Sequence, residues 1–185
     1  MHPAVNFIAF QLGWFACVSS AAIGRPWLGL SVVVSVLLLH LLVAARPRRE
    51  AALLGLSMCC GLLFDSLLVS GGWVAYRTGQ WLPWLAPYWI VAMWPLFATT
   101  LNISMRWLHG RQLLAALLGA VAGPLSYLAG ERFGALDLAP GLAPVLALAV
   151  AWGLAMPVLI TLAARFDGVR SGPVPQAIHS WAGRA

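Results

Sequence analysis

The sequence predicts an all-α protein, a polytopic membrane helix bundle of six transmembrane helices, and three observations carry that expectation. The 185 residues are 62% hydrophobic and 9% charged, where soluble domains carry roughly 25% charged residues. Mean hydropathy is +0.88, and the apolar residues fall into runs close to the ~20 needed to cross hydrocarbon. No run alternates with period two over the ~10 residues of a transmembrane strand. Six spans use about 120 residues, so no room is left for a second, soluble domain.

The runs follow in order. The first is 5–23, closed by Gly24-Arg25-Pro26; no basic residue precedes it and no clean cleavage site follows, so it reads as a span and not a signal peptide. The second is 27–45, stopped by Arg46-Pro47-Arg48-Arg49, and the third is 51–70, ended by Gly71-Gly72. The loop 71–83 holds Trp73, Tyr76, Arg77 and Trp81, aromatic and basic residues suited to the headgroup layer. The fourth run is 84–105, with Pro87 near its start and Pro95 inside. The fifth is 112–130 and the sixth 142–164, with Pro144 and Pro157. Residues 1–165 thus read as one membrane domain, and 166–185 as a polar cytoplasmic tail.

All 11 cations are arginine, and they stand against 5 acids. They lie at the ends of apolar runs, where they orient a chain in a bilayer, and this argues against nucleic acid as a partner. Arg46, Arg48, Arg49, Arg106, Arg111, Arg165, Arg170 and Arg184 would share one side, against Arg25, Arg77 and Arg132 on the other. Eight against three predicts a multi-pass inner-membrane protein with both termini in the cytoplasm.

Polar side chains within hydrocarbon are costly and face protein or a watery cavity. Asp65 is the one acid deep inside a run, about 21 Å into a core of about 30 Å. Ser126 and Tyr127 reach the same level, with Arg77 and Arg132 in the nearby loops. Asp65 reads either as part of a proton- or cation-linked site or as an interhelical hydrogen bond that fixes packing. A second group lies towards the arginine-rich side. Pro95, Thr99, Asn102 and Arg106 recur at helical spacing, with Thr100 beside them, and Asn6 and Gln11 of the first run lie at comparable depth. They read as a cavity wall or as polar contacts between helices, worth about 0.6 kcal/mol each. The candidate binding residues are therefore Asn6, Gln11, Asp65, Thr99, Thr100, Asn102, Ser126 and Tyr127.

Ala115, Gly119 and Gly123 repeat every four residues, a spacing that lets two backbones approach closely. The partner is a helix of this chain, a second copy, or another membrane protein. His2, His40, His109 and His179 form no HxxxH or HExxH pair, and Cys17, Cys59 and Cys60 form no CxxC, so no metal site is expected. No phosphate-binding glycine loop and no GxSxG elbow occurs. No cofactor and no catalytic residue is expected, and the reading leans away from an enzyme.

Several strings together resemble one family: Asn6-Phe7 with Phe10-Gln11 and Trp14-Phe15, the Gly61 to Asp65 segment, Leu96-Phe-Ala-Thr-Thr-Leu-Asn102, and Gly119 to Gly130 with its Gly-Pro-Leu-Ser-Tyr core. The chain resembles the small bacterial inner-membrane proteins grouped as domain of unknown function 2878, over roughly 6–162. The resemblance implies a polytopic membrane protein and carries no catalytic residues with it. Three function classes stand: binding or transport of a small or lipidic molecule; a non-catalytic accessory or scaffold protein of a membrane-lipid pathway; and, more weakly, a lipid-modifying enzyme. A closed polar cavity would favour the first, a packed interior the second, and a lateral lipid-facing cleft the third.

Overall fold

The computed structural model describes residues 2–169. The tail from 170 on, with Arg170, His179 and Arg184, lies outside the described residues. Six α-helices run in the order α1 (Pro3–Ala22), α2 (Pro26–Val43), α3 (Pro47–Ser70), α4 (Tyr88–Leu101), α5 (Gln112–Phe133) and α6 (Ala143–Arg165). Two short strands, β1 (Val74–Tyr76) and β2 (Leu136–Leu138), pair antiparallel, with Ala75 opposite Asp137. All helices except α4 are long and apolar enough to cross a membrane. Leu12, Leu42, Leu67, Leu113 and Leu154 stand exposed on their outer faces, the inside-out surface of a multi-pass membrane protein.

The helices pack chiefly as neighbouring pairs, α1 with α2, α3 with α4 and α5 with α6. α4 also touches α1, α2 and α6, and nine of its 14 residues are buried. A helix apolar all round belongs in such an interior.

Three boundaries depart from the expected ones for local reasons. α4 is shorter than the run 84–105. Proline disfavours a helical residue before it, so Pro87 holds the start at Tyr88, and Asn102 closes the end ahead of a 3-10 turn at Arg106–Leu108. Arg106 is therefore not on the helical stripe of Pro95, Thr99 and Asn102; its Nε donates to the Asn102 carbonyl at 2.8 Å. The α4 segment still crosses the bundle beside α1: Thr78 Oγ1 donates to the carbonyl of Ala21 at one end, and Asn6 meets Ser104 at the other. α3 starts at Pro47 and not at 51, since proline at the first helical position forgoes only a hydrogen bond absent there anyway. This draws Glu50 into the first turn, where the helix dipole favours an acid. α5 runs to Phe133, past 130, and stops at Gly134, whose φ of 82° lies in the left-handed region that glycine adopts freely.

The small-residue face of α5 is taken by α6 of the same chain. Ala115, Gly119 and Gly123 are buried. A Cβ on Gly119 would meet the Trp152 carbonyl and Met156, and one on Gly123 would meet the Trp152 ring. Of the three partners the spacing allows, a helix of this chain is the one that packs there.

Candidate functional site

Two buried carboxylates on α3 organise the interior. Asp65 is fully buried. Its Oδ1 accepts from Tyr76 Oη at 2.7 Å and Tyr127 Oη at 2.5 Å, and its Oδ2 accepts from Trp94 Nε1 at 2.7 Å. Four elements thus meet at one side chain: α3, β1, α4 and α5. Gly61, one turn earlier on α3, lies so close to Trp94 that a Cβ there would overlap the indole ring. Tyr127 is the donor that depth along the fifth run predicts. Ser126, Arg77 and Arg132 are not partners. Ser126 Oγ donates to the Gly123 carbonyl, and Arg77 forms a two-bond pair with Asp137 across the strands at 3.0 and 2.7 Å. Tyr76, expected in the headgroup layer, points inward and is buried, because strand pairing fixes its side opposite to Ala75.

Outside the membrane-spanning helices, the Arg77 guanidinium beside Asp137 holds that carboxyl below its ordinary value, and the same contact raises Arg77.

The second carboxylate, Glu50, was not among the expected site residues. It too is fully buried. Oε1 accepts from Asn102 Nδ2 at 3.0 Å and from the Gly168 N–H at 2.8 Å, and Oε2 meets His40 Nε2 at 2.8 Å. His40 Nδ1 and Asn102 Oδ1 have no hydrogen-bond partner among the described residues. Gly168 accepts in turn from the Arg46 N–H at 2.8 Å, and Arg106 grips Asp167 through two bonds of 2.6 and 2.9 Å. Asn6 completes this end: its Nδ2 donates to the Thr99 carbonyl at 3.2 Å, and its Oδ1 accepts from Ser104 Oγ at 2.8 Å. The segment after α6 and the start of α1 therefore share one end of the bundle, where Arg46 and Arg106 also lie.

Between α1, α4, α5 and α6 lies a cavity of about 420 Å³, within the range that takes a small molecule. Its wall is aromatic and aliphatic, with Phe10, Trp14, Phe97, Leu118 and Trp152 prominent, and Phe7 and Leu125, both exposed, at its margin. The cavity brings together four of the expected site residues, Gln11, Thr100, Ser126 and Tyr127. The Thr100 hydroxyl donates to the Phe97 carbonyl. Asp65 stands behind the wall, reached through Tyr127 and Trp94. Asn6, Thr99 and Asn102 do not line the cavity; they are tied into the Glu50 end, and the Thr99 hydroxyl donates to the Leu96 carbonyl. The expected single wall of α4 is thus divided, because Asn102 ends the helix and turns to Glu50.

Among the described residues no group of three or more His, Cys, Asp and Glu side chains is placed to hold a metal ion. No curated protein and no solved structure matches the chain. A family model described as Protein of unknown function (DUF2878) matches residues 3–158, a span that holds Asp65, Glu50 and the whole cavity lining, and the chain belongs to that family.

Proposed function

We propose that this protein binds a small, mostly apolar molecule inside the membrane, in the cavity between α1, α4, α5 and α6, either to hold it or to pass it on. The observation that carries the reading is the cavity of about 420 Å³ itself, left open in an interior that otherwise packs glycine against tryptophan. It is apolar and opens sideways past the exposed Phe7 and Leu125, so it suits a lipidic occupant better than a water-soluble one, which would need a closed polar cavity. Native interiors leave few voids larger than a water molecule. A packed scaffold has no use for such a space, so the accessory-protein reading is the weaker one. In the same proposal the protein sits in an inner membrane with both termini, and the bundle's arginine-rich end, in the cytoplasm. Reporter fusions at Ala185 and within the loop 71–83 are expected to give opposite signals; matching signals overturn that orientation.

The binding reading is tested with the full-length protein purified into lipid nanodiscs. Ala122, on the cavity wall, is replaced by tryptophan to fill the space. Organic extraction and mass spectrometry are expected to recover an apolar molecule from the wild type and not from Ala122→Trp. Equal recovery from both, or none from either, overturns the reading.

A further inference from the structure

The cavity has a chemical bias that its shape alone does not convey. None of its lining residues is Asp, Glu, Arg, Lys or His. Most of its polar side chains are already committed: Thr100 and Ser126 to carbonyls of their own helices, Tyr127 and Trp94 to Asp65, and the Trp89 indole to the Thr78 carbonyl. Gln11, Trp14 and Trp152 are not: among the described residues the Trp152 indole N–H is buried without a hydrogen-bond partner, and neither the Gln11 amide nor the Trp14 indole N–H has one. Gln11 and Trp14 lie three residues apart in the middle of α1, so they share a face of that helix.

A primary amide at membrane depth without a partner is expensive, while the Thr100 and Ser126 hydroxyls are satisfied within their own helices. An anionic or cationic head would have to be buried in this space with no opposite charge to meet it, which costs far more. Resting on the binding reading above, we propose that the occupant is an uncharged amphipath: a hydrocarbon body against the aromatic wall, and one neutral oxygen function, hydroxyl or carbonyl, that accepts from Gln11 Nε2, the one side-chain amide among the described residues of that wall. A hydroxyl head can also donate to Gln11 Oε1, so both halves of the amide are used. Charged lipids, phosphate-bearing or quaternary, are excluded from the cavity.

The test compares dodecane, dodecanol and dodecyl phosphate, one chain with three heads, for binding to the full-length protein in nanodiscs of zwitterionic lipid. Occupancy is read from native mass spectra and from tryptophan fluorescence, with Ala122→Trp defining what is cavity binding. Dodecanol is expected to bind about fivefold more tightly than dodecane, the worth of one net hydrogen bond. Dodecyl phosphate is expected to bind at least about tenfold more weakly than dodecanol. Gln11→Leu, a substitution an apolar helix accommodates, is expected to abolish the preference for dodecanol over dodecane and leave dodecane binding unchanged. Dodecyl phosphate binding as tightly as dodecanol, or an unchanged preference in Gln11→Leu, overturns the inference while leaving the binding reading in place. No probe displaced by Ala122→Trp overturns both.

Discussion

Removing the Asp65 carboxylate measures how far one side chain holds the strand-pair half of the bundle together. Three donors from three different elements end on it: Tyr76 from β1, Trp94 from α4 and Tyr127 from α5. Interhelical hydrogen bonds in membranes average about 0.6 kcal/mol and reach about 1.7 kcal/mol. Three such bonds predict a loss of about 4 kcal/mol for Asp65→Leu, since the substitution also leaves two hydroxyls and an indole N–H unpaired. Asp65→Asn keeps the shape and satisfies the two tyrosines or the tryptophan but not all three, so a loss of about 1–2 kcal/mol is expected. Tyr76→Phe and Tyr127→Phe each delete one donor and are expected to cost about 1 kcal/mol. Reversible unfolding in mixed detergent micelles reads these differences. The coupling between Tyr127→Phe and Asp65→Leu, taken as a double-mutant cycle, isolates the contact. Asp65→Leu within 1 kcal/mol of the wild type, or no coupling in the cycle, would refute the reasoning.

The other predictions concern the remaining contacts. Gly123→Leu drives a side chain into the Trp152 ring and is expected to destabilise by about 1–3 kcal/mol; an unchanged unfolding midpoint means α5 and α6 pack differently. Glu50→Ala strips His40, Asn102 and Gly168 of their common acceptor, with an expected loss of about 3–5 kcal/mol. Faster hydrogen exchange at residues 166–169 should accompany it, and unaltered exchange there counts against the clasp. Asp137, held below its ordinary value of 3.8 by Arg77, is depressed in the folded state. The strand pair therefore keeps its support above that ordinary value and loses it as pH falls through the lower folded one. An NMR titration of the Asp137 carboxyl carbon should show its midpoint rise towards the ordinary value in Arg77→Gln; the same midpoint in both proteins contradicts the pairing.

The apolar runs were legible because lipid imposes a common length scale on them, and the structure places a helix on each, though the fourth is cut short of that length between Pro87 and Asn102. Asp65 was legible too: depth along a helix is arithmetic, and that arithmetic led to Tyr127. Its other donors were not. Trp94 reads as one more apolar residue in a buried run, and Tyr76 turns inward through a three-residue strand pairing with a segment 60 residues away, which no local pattern announces. Glu50 was hidden by its neighbours. Beside Arg46, Arg48 and Arg49 it looks like part of a wetted loop, and only Pro47 in the first turn hints that a helix has already begun. The available signal was His40, a lone imidazole in an otherwise apolar helix ten residues earlier, which needs a partner. The split of Thr99 and Asn102 from the cavity also depends on where α4 ends, and prolines and a distant carboxylate decide that.

The Glu50 clasp has a consequence for how the protein is made. A ribosome delivers α2 and α3 with His40 and Glu50 in place, and Asn102 follows with the end of α4. The Gly168 N–H that completes the carboxylate's set, and the Asp167 that engages Arg106, are synthesised only after all six helices. Until then Glu50 lacks one of its donors and Arg106 lacks its acid at that end of the bundle. A nascent chain released at Arg165 would carry all six helices and still leave that end unfastened, so the helices alone do not complete the fold.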